Sequence, residues 1–325
     1  MWTKALGMAV LMLVVNTVFM QPSLGAPYPT KSVEVLCPYN PGSNMDILAR
    51  VVAEVARKYL RQPLVINNKP GAGGTVAAAD IIKSPPDGYR ILTLTSSYFV
   101  TTINSQKIPF DPNHLAPIAN FTVYREGMIV KGDSPWKTFG DLLEYGKKNP
   151  GKLRWSHPIK ASPLHMNPLL IFRKAGVNAI EVPYTGAAEE LAAVLGGHLD
   201  AASLTYAGFK EHVESGSIKY LIFYGDQRYS ALPKVPCALE LDFPEAARLQ
   251  TFVGAYAHKN TPEEVKKTLL DAFRRTCEDR EFQERCEKLG IEIRFGGPEF
   301  IREEIRKCAE VAIPLLKELG LYVGK

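Results

Sequence analysis

The sequence has 325 residues, of which 46% are hydrophobic and 22% are charged, and its formal net charge is +5. This composition excludes a disordered or collagen-like chain and allows one large or two medium-sized globular domains. The 39 Lys and Arg residues and the 34 Asp and Glu residues are scattered without a basic block, which argues against nucleic acid as a partner.

The first 26 residues differ from the rest of the chain. They carry a single charge, at Lys4, followed by an apolar run over residues 5–20, then Pro22 and a mostly small-residue stretch that ends at Ala26. This order is typical of a signal peptide that is cleaved on export. A membrane anchor is the alternative, but it needs about 20 uninterrupted apolar residues, and Asn16 interrupts this run. We therefore predict an exported protein with a signal peptide over residues 1–26.

The five cysteines do not indicate a metal site. The chain has no Cys-x-x-Cys pair and no Cys/His cluster with zinc spacing. An odd number leaves at least one thiol unpaired in an oxidising compartment, and no cysteine follows the apolar run closely enough to carry a lipid. Neither a metal nor a cofactor is predicted.

Strand and helix patterns alternate after the N-terminal segment. Apolar runs with β-branched residues predict strands at residues 33–38, 64–66 and 90–95, and apolar residues at helical spacing predict helices at 45–60 and 75–82. Such alternation predicts βαβ units around a parallel sheet.

A second set of alternating patterns follows. Its predicted strands and helices are, in chain order, strand 128–131, helix 138–147, strand 153–156, helix 165–175, strand 179–183, helix 187–195, strand 201–205, helix 206–213 and strand 220–224. Two sets of this kind predict two similar α/β domains.

The C-terminal region predicts a strand at 252–258, helices to about residue 280 and over 281–289, and a strand at 291–295. A final helix is predicted from Pro298 through Leu319, with Pro314 expected to kink or split it.

Candidate binding residues of the first half lie in loops after predicted strands, where helix N-termini present unpaired N–H groups. Gly42 and Ser43 precede the first helix, and Ser96 and Ser97 follow the third strand. The stretch from Gly71 begins like G-x-G-x-x-G but has valine where the third glycine or alanine belongs, so a nucleotide site is not predicted.

The second half offers two readings of its polar loop residues. Ser156, Ser162 and His165 suit hydrogen bonds to a carboxylate, whereas nucleophilic catalysis lacks both a G-x-S-x-G elbow and an assigned acid. Thr185 is either a ligand contact or simply a helix cap, and Asp200 is either a site residue or a turn residue.

Several motifs occur in a fixed order from about residue 27 to the C-terminus. They are Tyr28-Pro29-Thr30-Lys31, Pro38-Tyr39-Asn40-Pro41-Gly42-Ser43-Asn44-Met45-Asp46, Pro70-Gly71-Ala72-Gly73-Gly74, Pro86-Asp87-Gly88-Tyr89, Val182-Pro183-Tyr184-Thr185-Gly186, Leu195-Gly196-Gly197-His198-Leu199-Asp200 and Ala231-Leu232-Pro233-Lys234-Val235-Pro236. In this order the chain resembles the TctC/Bug family of extracytoplasmic solute receptors, which is associated with tripartite tricarboxylate transport.

The resemblance implies an α/β fold of two lobes, as in type II-like periplasmic binding proteins, with a mostly parallel sheet in each lobe and a cleft between them. Lobe 1 would comprise residues 27–124 and 252–325, and lobe 2 residues 125–251, with hinges near 121–127 and 249–253. The implied ligand-binding residues are Tyr39, Gly42, Ser43, Asp46, Gly73, Ser96, Ser97, Ser156, Ser162, His165, Tyr184, Thr185, Gly186 and Asp200.

The implied function is a periplasmic receptor, monomeric and without enzymatic activity, that closes over a small carboxylated metabolite or aromatic acid and delivers it to membrane transporter subunits. An exported hydrolase that uses Ser156 and His165 and a ligand sensor for a membrane signalling partner are the alternatives. The chain departs from the family where Pro158, Ile159 and Lys160 replace a glycine-rich loop and where Ser43 replaces a second glycine, so a typical dicarboxylate ligand does not follow.

Overall fold

The computed structural model describes residues 28–184 and 186–324. The predicted signal peptide, residues 1–26, lies outside the described residues. Within the described ranges, no helix combines the length and the apolar character that crossing a membrane requires.

The described residues form eleven strands and eleven α-helices. The strands are β1 Val33–Cys37, β2 Leu64–Asn68, β3 Arg90–Thr95, β4 Leu115–Val123, β5 Glu126–Lys131, β6 Arg154–Ser156, β7 Ile180–Glu181, β8 Ala201–Thr205, β9 Ile218–Phe223, β10 Phe252–His258 and β11 Glu292–Gly296. The helices are α1 Asn44–Leu60, α2 Thr75–Lys83, α3 Ile103–Ser105, α4 Phe139–Lys148, α5 Pro163–Ala175, α6 Ala187–Leu195, α7 Lys210–Glu214, α8 Pro244–Arg248, α9 Glu263–Glu278, α10 Arg280–Lys288 and α11 Pro298–Glu318.

The strands form two sheets, each flanked by helices, so the predicted two-lobed α/β fold is confirmed. The first sheet has the order β11-β4-β10-β3-β1-β2, and the second has the order β7-β6-β8-β5-β9. The chain passes from the first sheet to the second between β4 and β5 and returns between β9 and β10.

Both sheets are mixed, which corrects the expectation that each is mostly parallel. β1 runs parallel to β2 and β3, and β6 runs parallel to β7 and β8. All remaining pairs are antiparallel. The antiparallel pairs all involve β4, β5 or β10, the strands next to the two crossings, so only the βαβ units give parallel pairs.

Apolar side chains cover both faces of each sheet. In β1, Val35 packs in the cluster that contains Leu48 of α1 and Phe273 of α9, whereas Leu36 packs in the cluster with Ile81 of α2. Neighbouring residues of a strand point to opposite faces, so a strand covered on both sides reads as a continuous apolar run. This burial explains why β1 was predictable without an alternating pattern.

Helix α11 packs against residues of both halves of the fold. Ala312 and Leu316 lie in one buried cluster with Val100 and with Met166 of α5. The helix continues through Pro314, contrary to the predicted split. Leu315 and Leu316, directly after the proline, are buried, and their packing stabilises the last turn.

Candidate functional site

A cavity of about 240 Å³ lies between the two sheets. Its lining comes from the loops and helix starts that follow strands of both sheets and from the two crossings. The lining residues are Tyr39, Ser43, Asn44, Met45, Thr95, Ser97, Tyr124, Glu126, Pro158, Ile159, Ser162, Pro163, Leu164, Ala187, Thr205 and Thr251.

Three helices begin at this cavity. α1 starts after its cap Ser43, α5 starts after its cap Ser162, and Ala187 is the first residue of α6. The first N–H groups of a helix have no partner within the helix, and they carry the positive end of the helix dipole. The cavity is therefore suited to a negatively charged group.

Asp46 fixes the loop that leads into α1. Its carboxylate accepts hydrogen bonds from Gly42 N at 2.9 Å, from Asn68 Nδ2 at 2.8 Å and from Arg50 Nε at 3.0 Å. Burial alone would raise the pKa of Asp46, but these hydrogen bonds offset that effect and hold the pKa below its usual value. Gly42 has φ of +82°, a conformation that favours glycine.

The charged side chains at the cavity are few. Among the described residues that line it there is no Lys, Arg or His, and Glu126 is the one acidic residue. Burial raises the pKa of Glu126 to about 8, against a smaller opposing effect of Thr251. Burial also raises the pKa of Tyr39 and of Tyr124, so both hydroxyls stay neutral at physiological pH.

Four of the sequence-predicted residues, Tyr39, Ser43, Ser97 and Ser162, line the cavity. Their hydroxyls already have local partners, which for Tyr39 is the side chain of Thr95. Ser43 Oγ accepts from Asp46 N at 3.3 Å, Ser97 Oγ lies 2.7 Å from the Thr95 hydroxyl, and Ser162 Oγ donates to Ile159 O at 2.6 Å.

Other predicted residues, which do not line the cavity, bond to protein groups. Ser96 Oγ accepts from Phe252 N at 3.0 Å and so links the end of β3 to β10. Asp200 accepts from Arg154 N at 2.8 Å and also binds the Arg154 guanidinium, which holds the start of β6. Gly42 and Asp46 set the first loop, as described above, and Gly73, Tyr184 and Gly186 are not among the lining residues. Thr185 lies outside the described residues.

Ser156 and His165 are not arranged as a nucleophile and its base. Ser156 is fully buried, and its Oγ donates to Glu190 Oε1 at 2.5 Å. His165 Nδ1 accepts from Ala161 N at 3.1 Å, and its Nε2 lies 3.4 Å from Glu181 Oε2. The two side chains therefore bond to different partners, and the pair that the alternative hydrolase function would require is not assembled.

His157, His165 and Glu181 form a cluster whose possible metal-ligand atoms lie within 4.8 Å of one another. His165 Nδ1 accepts the N–H of Ala161, so in the neutral ring Nε2 carries the hydrogen. That nitrogen can then donate to Glu181 but cannot ligate a metal. Burial and the neighbouring His157 lower the pKa of His165 to about 4, which keeps the ring neutral.

Sequence reasoning assigned to the site none of the three residues that the two crossings contribute. Tyr124, Glu126 and Thr251 line the cavity because the chain passes between the sheets there. A glutamate at the start of the apolar run 126–130 was the one signal in the sequence, since an unpaired charge is rare in a buried strand.

Comparison with known proteins identifies the family. Residues 48–321 match the model described as "Tripartite tricarboxylate transporter family receptor". A UPF0065 protein from the gbd 5′ region of Cupriavidus necator is 32% identical over 296 residues, which cover 90% of this chain and 89% of that protein. This chain belongs to the tripartite tricarboxylate transporter receptor family. The family and the fold are those of solute-binding receptors.

Solved structures show the same fold. The periplasmic binding protein BugD is 26% identical with a TM-score of 0.75, and the match covers 91% of this chain and 99% of BugD. Rpa4515 of R. palustris, solved with adipate, is 23% identical with a TM-score of 0.78 over 90% of this chain and 98% of that protein.

Proposed function

We propose that this protein is a periplasmic receptor that binds a small carboxylate in the cavity between its sheets and delivers it to a transporter of the tripartite tricarboxylate type. The observation that carries the proposal is the convergence of the N-termini of α1, α5 and α6 on a cavity whose described lining contains no basic side chain. Helix N-termini bind carboxylates without a cationic side chain. Family membership and the adipate bound by Rpa4515 support the same ligand class.

The apolar part of the lining defines the rest of the ligand. Met45, Pro158, Ile159 and Leu164 face the cavity together with its polar groups. Binding pockets of this kind use apolar walls for affinity and a few polar groups for orientation. An aliphatic or aromatic acid with a compact apolar body fits this description.

We propose that binding is accompanied by closure of two lobes, residues 27–124 with 252–325 and residues 125–251. The two crossings between the sheets lie at the ends of these segments, which supports hinges near 121–127 and 249–253. A ligand that contacts both lobes stabilises the closed state by its extra affinity for that state.

The proposed receptor is exported, with its signal peptide cleaved after residue 26, and it acts as a monomer.

The predicted binding residues divide into two proposed roles. Tyr39, Ser43, Ser97 and Ser162 would contact the ligand from the cavity lining. The others, Gly42, Asp46, Gly73, Ser96, Ser156, His165, Tyr184, Thr185, Gly186 and Asp200, would shape the surrounding loops or make contact after closure.

Titration calorimetry with adipate, malate and benzoate tests the ligand class. We expect at least one of these acids to release or absorb heat with 1:1 stoichiometry and to raise the melting temperature as its concentration exceeds the dissociation constant. A protein that is folded by circular dichroism but binds none of a wider panel of mono-, di- and tricarboxylates would contradict the proposed function.

An Ala187→Asp variant tests the position of the bound carboxylate. We expect its affinity for the binding acid to fall at least about tenfold, because a second negative charge at the start of α6 repels the ligand. An acidic residue at this position of a helix is compatible with folding.

Ala188→Asp is the matched control, since Ala188 is the next residue of α6 and is exposed outside the lining. Its affinity should change by no more than about threefold, the effect of a partly screened charge. Equal losses of affinity in the two variants would mean that the ligand carboxylate does not bind at the start of α6.

A further inference from the structure

Glu126 is a buried carboxyl group in the wall of the cavity. It is the first residue of β5, directly after the crossing, and only 5% of its surface is exposed. Its backbone is fixed on both sides, because Glu126 N donates to Tyr124 O at 3.1 Å and Tyr224 N donates to Glu126 O at 2.8 Å. The residue is thereby held in the wall of the cavity.

Among the described residues that line the cavity, no cation compensates a charge on Glu126. The neighbouring Arg125 turns its guanidinium to Glu292, with Nε 2.5 Å from Glu292 Oε2. The titratable groups that interact with the charge of Glu126 come from the crossing, from β9 and the residue directly after it, and from α11. They are Tyr124, Tyr220, Tyr224 and Cys308.

All four of these groups are neutral at physiological pH. Burial raises the pKa of each tyrosine above its ordinary value and raises the pKa of Cys308 to about 12. An uncompensated carboxylate in such surroundings is costly, so the group takes up a proton instead.

We propose that Glu126 stands in the cavity as a neutral carboxylic acid and donates a hydrogen bond to the ligand carboxylate, so that binding depends on the proton it carries. This inference rests on the proposed function. A carboxylic acid donates one O–H hydrogen bond and carries no repelling charge, whereas an ionised carboxylate can only accept. The acid therefore complements the N–H groups of the three helix N-termini.

The pH dependence follows from this proton. Burial raises the pKa of free Glu126 to about 8, so below that pH the acid is already protonated and the affinity is constant. Above it, each binding event must first restore the proton, and the affinity falls by up to about tenfold per pH unit. Proton uptake on binding accordingly rises from near zero at pH 6 towards one above pH 8.

Titration calorimetry with adipate, or with the acid of the panel that binds most tightly, measures both effects between pH 6 and pH 9.5. Buffers with different ionisation enthalpies give the number of protons taken up. We expect wild-type affinity to decline above pH 8, and a Glu126→Gln variant, which keeps an N–H donor and cannot ionise, to show a flat profile without proton uptake.

Glu190→Gln is the matched control. Glu190 is also buried, and its pKa is raised to about 7 by burial, but it bonds to Ser156 and does not line the cavity. This variant should keep the wild-type decline in affinity above pH 8.

A second measurement needs no ligand. Carbon-13 NMR of carboxyl-labelled glutamates should show a resonance that titrates near pH 8 and is absent in Glu126→Gln.

The outcomes separate the two proposals. Binding of the acid with the same flat pH profile in wild type and in Glu126→Gln would overturn this inference and leave the proposed function intact. A Glu126 resonance that titrates between pH 4 and 5 would overturn it whether or not a ligand is found. Failure of every carboxylate to bind the folded wild-type protein would overturn both.

Discussion

Replacing Arg125 with Ala is expected to lower the free energy of unfolding by about 3–5 kcal/mol. The Arg125 side chain is 2% exposed, and its guanidinium forms a two-point ion pair with Glu292 of β11. It also donates to Gln227 O at 3.3 Å. Removing it leaves the Glu292 carboxylate, only 22% exposed, without its partner. Urea denaturation followed by circular dichroism measures the loss.

The Arg228–Glu240 pair is the matched control for this variant. It has the same chemistry, with Arg228 Nε 2.9 Å from both Glu240 oxygens, but the two side chains are 47% and 42% exposed. Arg228→Ala should therefore cost no more than about 1 kcal/mol. Similar losses in the free energy of unfolding for both variants would show that burial does not determine the strength of the Arg125–Glu292 ion pair.

A double variant adds a further check. Arg125→Ala with Glu292→Ala removes both charges, so its loss should be smaller than the sum of the two single losses by at least about 1 kcal/mol. Strict additivity would mean that the two groups do not interact in solution.

Gly127→Ala is expected to cost at least about 3 kcal/mol. A Cβ on Gly127 would lie 2.2 Å from Ile222 O and 2.9 Å from Tyr220 Cδ1, both on the neighbouring strand β9. The carbonyl belongs to the β5–β9 ladder, where Gly127 stands opposite Phe223, so relief requires the two strands to separate locally. The melting temperature and the urea midpoint should both fall.

Gly140→Ala serves as its control. Gly140 lies in the first turn of α4, and the nearest atom to an added Cβ is Thr138 Oγ1 at 3.6 Å. Alanine is the better helix former, so stability should be unchanged or rise by up to about 1 kcal/mol. A loss of less than 1 kcal/mol for Gly127→Ala would mean that β5 and β9 can move apart at little cost.

The fold was predictable from sequence where burial gives an element one clear pattern. Helix α1 and strands β1 and β3 carry such patterns, and their observed bounds agree with the predicted ones within two residues. Strand β4, the longest in the first sheet, was missed because Pro117 and Asn120 interrupt its apolar run. The structure tolerates Pro117 because β11 pairs only with residues 120–123 of β4, which leaves Pro117 beside an open edge.

The candidate site was predictable in its location but less so in its composition. Loops that follow parallel strands do meet at the cavity, as Ser43, Ser97 and Ser162 show. Ser156 is as polar as these and equally close to a strand end, yet its hydroxyl is committed to Glu190. Sequence shows which residues can form hydrogen bonds, but the choice of partner depends on long-range packing.

The position of β10 has a consequence for the order in which the chain is assembled. This strand lies in the middle of the first sheet, between β3 and β4, although it is encoded after every strand of the second sheet. A growing chain can pair all of β5 to β9 once residue 223 has emerged, while β4 still lacks both of its neighbours. The half of the molecule that is synthesised first is thus the half completed last, and long-range pairing of this kind slows folding.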